Sequence, residues 1–231
     1  MTKSLIDGNC RLADMLSTHP KVLLTLERFG ITLGFGDMTI AQVCQKAGVN
    51  TNFFLLICNV QAFDDYVPSQ AAIRATDMSG LVNYLKHSHQ FYIEKWLPHI
   101  ADHIARISRL LPEGQVRKAF LEFFNLYRHE IESHFHDEDE NVFPHILQLQ
   151  LGHKHSDYRI NDFMAMHGNL QDKLDDLTQI IFKYLPAKVT TDDTIDVIFD
   201  ILQLSQDLKK HNLIEEKIMV PYVKHIENQL R

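Results

Sequence analysis

The feature that most constrains this chain is a short histidine–glutamate pattern that occurs twice, 77 residues apart. The first copy contains His134 and Glu138, and the second contains His211 and Glu215. In each copy the glutamate follows the histidine by four residues, and a proline follows the histidine by ten. Residues four apart lie on the same face of an α-helix, about one turn from each other. Each copy therefore presents an imidazole and a carboxylate in one direction, and two such helices facing each other would form a metal-binding site.

The composition argues against several functional classes. The chain has 231 residues, of which 45% are apolar, so it can bury a sizeable core. Its net charge of −7 gives no sign of a nucleic-acid-binding surface. Its three cysteines have no paired spacing, which indicates a reducing compartment. The first residues lack the apolar segment of a signal peptide, and no run of about 18 apolar residues predicts a membrane span. We therefore expect a cytoplasmic protein with no nucleic-acid or membrane partner.

The first 62 residues are expected to form a small helical domain. Three helices are predicted within it, over residues 19–28, 39–47 and 50–60. Gly48 is a helix-stop signal, and Asn50 is a good N-cap. Residues 63–77 are polar, contain a proline and have no sustained apolar stripe, so they are interpreted as a linker to a second domain at 78–231.

The second domain is predicted to be an up-down-up-down four-helix bundle, so the fold class is all-α. Its helices are expected at residues 79–111, 115–149, 157–184 and 192–227. In each of them apolar residues recur at three- and four-residue steps, which is typical of an amphipathic helix. Short loops between long helices favour antiparallel neighbours. Pro98 and Pro144 fall inside the first two helices and are expected to kink or interrupt them.

Each apolar stripe is interrupted by one histidine, and two stripes also contain a glutamate one turn later. These positions are His89 on the first helix, His134 and Glu138 on the second, His167 on the third, and His211 and Glu215 on the fourth. An unpaired carboxylate in an apolar interior costs several kcal/mol. No lysine or arginine shares the stripes near these positions, so a bound metal explains the pattern best.

The remaining histidines are expected to lie on the surface or next to the ligands. His87 lies about 200° around the helix from His89, so both cannot point inward, and the apolar stripe from Leu85 to Tyr92 favours His89. The others in this class are His99, His103, His129, His136, His145, His153, His155 and His225.

The ligand set also indicates which metals fit. Four imidazoles and two carboxylates are too many for one tetrahedral zinc ion, and no thiolate is present. They suit two metals, each bound by two imidazoles and bridged by both carboxylates. Mixed nitrogen and oxygen donors at five or six coordination favour two iron ions over manganese or zinc. A site that holds zinc or manganese for a purely structural purpose is the remaining alternative.

These six positions resemble the motif of the hemerythrin-like superfamily, whose members have the HHE cation-binding domain. The family pattern is a histidine on the first helix, His-x-x-x-Glu followed by Phe-Pro or a similar pair on the second, a histidine on the third, and His-x-x-x-Glu on the fourth. Residues 78–228 match it throughout, with Phe143-Pro144 and Val220-Pro221 behind the two pairs. The resemblance implies a non-haem di-iron centre in which both glutamates bridge the irons and the four histidines cap them.

The order of domains is similar to that of the di-iron proteins that repair iron–sulfur clusters. Those proteins have a Cys-Cys pair after the first helix of their N-terminal domain. This chain has Gly30 to Gly36 at that place, without a cysteine, so thiol chemistry is not transferred from the family. Cys44, in the next predicted helix, is interpreted as a small buried apolar residue.

The resemblance implies a role in cluster repair under oxidative or nitrosative stress. The expected partners are O2, NO or peroxide as small ligands and a client iron–sulfur protein. The alternative is a hemerythrin-type sensor or carrier of O2 or NO, whose N-terminal domain passes the signal to a partner. Oxygen-carrying hemerythrins generally use five histidines, so a set of four fits reversible O2 transport less well. The sequence leaves open whether the protein is an enzyme and whether it forms a homodimer.

Overall fold

The computed structural model describes residues 5–111, 113–153, 160, 170–184 and 191–229. The first helices are α1 (Leu12–Thr18), α2 (Leu23–Arg28), α3 (Ile40–Ala47), α4 (Thr51–Ala62) and α5 (Gln70–Arg74). They are followed by α6 (Met78–Phe91), α7 (Leu97–Leu110), α8 (Gln115–Asp137), α9 (Phe143–Gln150), α10 (Leu170–Tyr184), α11 (Thr191–Ile214) and α12 (Val220–Gln229). The protein is all-α, as the sequence predicts. No helix in the described ranges has the length and apolar character needed to cross a bilayer.

Contacts between Cα atoms divide the chain into two compact units. One contains the described residues up to His87 together with those from Leu213 onward, and the other contains those from Ser88 to Asn212. The short helix α5 falls in the stretch that the sequence suggests is a linker. The domain boundaries predicted from the sequence stay a prediction, because a domain and a compact unit of contacts are not defined in the same way.

Helices α3 and α4 begin at side chains that cap free backbone N–H groups. Thr39 Oγ1 accepts a hydrogen bond from the N–H of Gln42, and Gln42 Oε1 accepts one from the N–H of Thr39, which forms a capping box. Asn50 Oδ1 accepts from the N–H of Phe53 at 3.0 Å. Helix α3 ends at Gly48, whose φ of 69° is easy only for glycine. Both helices agree with the prediction within two residues.

The core of the first unit includes two of the three cysteines. Cys44 and Cys58 are fully buried, and both are free thiols. Burial raises the pKa of Cys44 to about 11, and that of Cys58 well above its ordinary value. Since the thiolate is the reactive form of cysteine, neither side chain is suited to redox or nucleophilic chemistry. The interpretation of Cys44 as a buried apolar residue is confirmed.

In the second unit, four helices enclose one continuous apolar core. Most of its buried members come from α7, α8, α10 and α11, and include Ile104, Phe124, Leu177 and Ile201. An ion pair between Lys173 and Glu130 joins α10 to α8. Antiparallel bundles bury such stripes against each other, and most of the helices' stability comes from this packing.

A series of contacts shows that α11 runs antiparallel to α6 and α7. His89 contacts His211, Tyr92 contacts Asp207, and His99 contacts Asp200. As the residue number rises along the first helix it falls along the second, so the register of this helix pair is fixed over three turns. This register determines which polar side chains of the two helices lie opposite each other.

Within the described ranges, three helices contain a five-residue π-helical segment just before a proline. These segments are π1 (Tyr92–Trp96), π2 (Glu138–Val142) and π3 (Glu215–Met219). The residue after each segment donates its N–H to the carbonyl five residues earlier, and the next residue is Pro98, Pro144 or Pro221. Proline has no N–H to donate and clashes with the carbonyl of residue i−4 in a regular α-helix, which the wider turn relieves. The predicted interruptions at Pro98 and Pro144 therefore take the form of π segments within continuous helices.

Candidate metal centre

The candidate site is centred on the carboxylate of Glu138, which is 1% exposed. Glu138 is the first residue of π2, one turn after His134 on α8. Its Oε1 atom lies 3.0 Å from His134 Nε2, and its Oε2 atom lies 3.1 Å from His89 Nε2 on α6. Each oxygen thus faces an imidazole from a different helix. This is the arrangement expected of a carboxylate that bridges two cations.

A third imidazole, that of His211, lies next to the imidazole of His89. His211 Nε2, on α11, lies 3.2 Å from His89 Nε2, and both side chains are 1% exposed. Two ring nitrogens this close require either a proton between them or a cation that both can bind. The His89 ring stacks on Phe135 with centroids 4.1 Å apart, which fixes its plane. His89 and His211 therefore converge on the Oε2 side of Glu138.

Asp139 holds His89 from its other ring nitrogen. His89 Nδ1 lies 3.1 Å from Asp139 Oδ1, so Nδ1–H donates to this carboxylate and Nε2 faces the site. Histidine ligands of metals commonly donate their second N–H to a carboxylate in this way, which fixes the ring orientation. Sequence reasoning missed Asp139, because it lies off the apolar stripe. Its only sequence signal is its place in the acidic run Asp137–Glu140.

The second glutamate of the repeated pattern also lies at the site. Glu215 is fully buried and comes one turn after His211 in the same continuous helix. It is the first residue of π3, just as Glu138 is the first residue of π2. Ligand atoms of His89, Glu138, His211 and Glu215 all lie within 4.8 Å of one another.

The comparison with protein families matches residues 78–223 to the hemerythrin HHE cation binding domain. The chain belongs to the hemerythrin family. The match covers more than half of the 231 residues and includes all six positions predicted from the sequence. No curated protein matches the chain. The resemblance to the hemerythrin-like superfamily is confirmed, and the protein is a metal-binding protein of that family.

Five of the six predicted residues of this hemerythrin-family site are described, and the structure brings them together. His167 lies outside the described residues. His87, the alternative to His89, donates its Nδ1–H to the carbonyl of Arg28 at 3.0 Å. The geometry therefore favours His89 as the residue that faces Glu138.

The other histidines are not all on the surface. His129, His136 and His153 are exposed, as expected for residues off the inward face. In contrast, His103 on α7 and His145 on α9 are buried. His155 lies outside the described residues.

The ionisation of His89 depends on its carboxylate neighbours. Burial alone would lower the pKa of this imidazole, but hydrogen bonds and charge interactions with Asp139 and Glu138 outweigh it and raise the pKa to about 9. In the metal-free protein at neutral pH, His89 is therefore an imidazolium that donates to both carboxylates. A metal that binds Nε2 must displace that proton.

The donor set fits a pair of metal ions. Two ligands that each lie about 2.1 Å from one metal at a right angle are themselves about 3 Å apart. The separations from His134 to Glu138, from His89 to Glu138, and from His89 to His211 are 3.0, 3.1 and 3.2 Å. Buried carboxylates among imidazoles supply the mixed oxygen and nitrogen donors of such sites. The hemerythrin-family fold thus positions groups that can hold cations without a large rearrangement.

Proposed function

We propose that this hemerythrin-family protein holds two iron ions in a non-haem di-iron centre and acts in the oxidative or nitrosative stress response, as iron–sulfur cluster repair proteins do. The observation that supports the centre most strongly is the carboxylate of Glu138, whose two oxygens face His134 and His89 from different helices. A structural zinc site would need only one cation and four ligands. A carboxylate whose two oxygens face imidazoles from different helices could instead bridge two cations.

In this proposal the described residues divide into two sets of ligands. His134 belongs to the Oε1 side of Glu138, whereas His89 and His211 belong to the Oε2 side. Glu215 would be the second bridging carboxylate, and His167 would complete the set through the family motif. Mixed imidazole and carboxylate donors favour iron, and the centre would supply open coordination positions for O2, NO or peroxide.

Buried aromatic side chains pack around His89 at this site. The His89 ring lies between Phe135 and Phe143, with centroid distances of 4.1 and 5.5 Å, and both phenylalanines are fully buried. Tyr92 stacks on Phe135 from the adjoining turn. An apolar wall of this kind strengthens charge interactions inside the site and keeps bulk water away from a reactive centre.

The repair role is supported by the order of domains and not by thiols. The Cys-Cys pair of the repair proteins has no counterpart here, and Cys44 and Cys58 are buried with raised pKa values. In this chain the di-iron centre itself would therefore interact with the damaged cluster of a client protein. Its free thiols are consistent with work in the reducing cytoplasm.

The test has two stages, carried out with the full-length protein. The first measures metal identity and stoichiometry, together with the visible spectrum before and after NO. Two irons per chain with a spectrum that responds to NO are expected, whereas stoichiometric zinc or manganese after purification from unsupplemented medium would overturn the di-iron assignment.

The second stage adds the protein to an enzyme whose iron–sulfur cluster has been damaged by NO and measures the recovery of that enzyme's activity. The wild-type protein should restore activity, and a variant with Glu138→Ala and Glu215→Ala should not. Equal recovery with both proteins would overturn the repair role. Reversible O2 or NO spectra without any recovery would instead indicate a sensor or carrier.

A further inference from the structure

A second group of potential metal ligands lies on α7 and α11, away from the di-iron site. His99 and His103 are four residues apart on α7, so their rings project from the same face. Asp200 on α11 faces them. Its Oδ2 atom lies 3.2 Å from His99 Nε2 and 3.8 Å from His103 Nε2, and ligand atoms of all three residues lie within 4.8 Å of one another.

This group is separate from the site around Glu138. His99 follows His89 by ten residues in one continuous helix, which corresponds to roughly 15 Å along the axis. On the facing helix, Asp200 precedes His211 by eleven residues. The buried contact between Tyr92 and Asp207 lies between the two groups. No ion could be shared between ligands this far apart.

A simple ion pair accounts for only part of the geometry. The 3.2 Å distance between His99 and Asp200 is that of a hydrogen bond, but His103 Nε2 at 3.8 Å is too far from the same oxygen for a second one. The His103 side chain is 8% exposed, and its Nδ1 atom has no hydrogen-bond partner among the described residues. Its ring is therefore buried and directed towards Asp200 without a hydrogen bond to hold it. A cation between the three atoms would be a partner for all of them.

We propose that His99, His103 and Asp200 form a second metal site, which binds one zinc ion. Two imidazoles from a His-x-x-x-His pair and one carboxylate are three ligands of the type that zinc takes, with water in the fourth position. The rings of His99 and His103 meet edge to face with centroids 4.6 Å apart, so both nitrogens reach the same region. His99 is 56% exposed and Asp200 is 26% exposed, which opens the site to solvent. The bound ion would link α7 to α11. Helix α7 follows His89 in the same continuous helix, and α11 contains His211.

The test uses the full-length protein with its di-iron centre loaded with iron. Zinc is titrated against a competing chromogenic chelator, and bound zinc and iron are counted after equilibrium dialysis. The wild-type protein should bind about one further zinc per chain. Asp200→Asn and His99→Gln each remove a proposed zinc ligand. Loss of even an outer partner of a metal ligand weakens binding roughly 10- to 100-fold, so each variant should lose at least that much zinc affinity.

Matched controls come from exposed residues of the same types. Asp196→Asn makes the same charge change one turn earlier on α11 at an exposed residue, and His129→Gln removes an exposed histidine from α8. Both controls should bind zinc as the wild-type protein does. Because His99 is largely exposed, His99→Gln is expected to fold, and far-UV circular dichroism checks this.

Three results would overturn the proposal. One is the absence of additional zinc on the iron-loaded wild-type protein. Another is equal zinc affinity in the wild-type protein, Asp200→Asn and His99→Gln. The third is a loss of iron that accompanies the loss of zinc in Asp200→Asn, because the two sites would then not be separate. This proposal is tested separately from the di-iron proposal. If the site around Glu138 holds a metal other than iron, the zinc titration can be repeated with that metal bound.

Discussion

At the scale of single residues, the partly exposed Asp139 orients the imidazole of His89. Its carboxylate accepts from His89 Nδ1–H at 3.1 Å and so directs Nε2 into the metal site. Asp139→Asn is expected to lower metal affinity by about 10- to 100-fold, which is the usual cost of losing such a partner. A competition titration with ferrous iron measures this. Glu140→Gln is the control, because Glu140 is the next residue and is exposed. Equal affinities in the two variants would contradict the role of Asp139.

The raised pKa of His89 predicts a pH dependence of metal binding. Because Asp139 and Glu138 outweigh the effect of burial, the pKa of His89 is about 9 in the metal-free protein. A proton on Nε2 competes with the metal below that pH, so apparent affinity should rise about tenfold per pH unit between 7 and 9, and then level off. Isothermal titration calorimetry in buffers of different ionisation enthalpy measures the proton released. Binding that is independent of pH across this range would contradict the prediction.

At the scale of helices, one hydrogen bond ties π1 to α11. Tyr92 donates its O–H to Asp207 Oδ2 at 2.6 Å, and both side chains are buried. Tyr92→Phe should lower the free energy of unfolding by about 1.5–3 kcal/mol, because the bond is to a charged acceptor. Urea denaturation of the metal-free protein measures this.

Tyr127 on α8 provides the matched control for this change. Its side chain is as deeply buried as that of Tyr92, but its hydroxyl has no hydrogen-bond partner among the described residues, and burial raises its pKa. Tyr127→Phe removes the same atom without breaking a bond, so stability should stay equal or rise slightly. Equal losses in the two variants would show that the contact with Asp207 contributes nothing beyond packing.

The π segments show what the sequence can and cannot predict about these helices. The prolines in the long amphipathic helices predict an interruption, because proline cannot donate a backbone hydrogen bond. They do not predict its form, since a kink, a break and a π segment all remove the clash. The structure places Glu138 and Glu215 at the first positions of π2 and π3. The wider turn then brings Asp139, which follows Glu138, into contact with His89.

At the scale of the whole molecule, the fold and the residues that meet at the candidate site could be predicted because both follow from local patterns. Apolar steps of three and four residues define the helices, and buried glutamates on an apolar stripe demand a cation. The contacts of Asp139 and the group around Asp200 could not be predicted, because they depend on the register between α6–α7 and α11. His103 follows Ile100 by three residues and precedes Ile107 by four, and both isoleucines are buried, so the apolar periodicity of α7 places this histidine on the inward face.

Metal removal should affect the stability of the whole chain. A cation that binds only the folded protein adds about 2.7 kcal/mol when its free concentration is about 100 times the dissociation constant. Chelation is therefore expected to lower the melting temperature, and iron should restore it. Differential scanning calorimetry of the iron-loaded and chelated proteins measures the shift. An unchanged melting temperature would show that the folded protein does not bind iron in preference to the unfolded chain.

The most direct test of the di-iron centre is the iron content of two matched double variants. One has Glu138→Ala and Glu215→Ala, which removes both buried carboxylates. The other has Glu140→Ala and Glu216→Ala, which makes the same changes at exposed residues one or two positions away. After iron loading and dialysis, the wild-type protein and the exposed-residue variant should retain two irons per chain, and the buried-residue variant should retain none. Retention of two irons by the buried-residue variant would contradict the proposed centre.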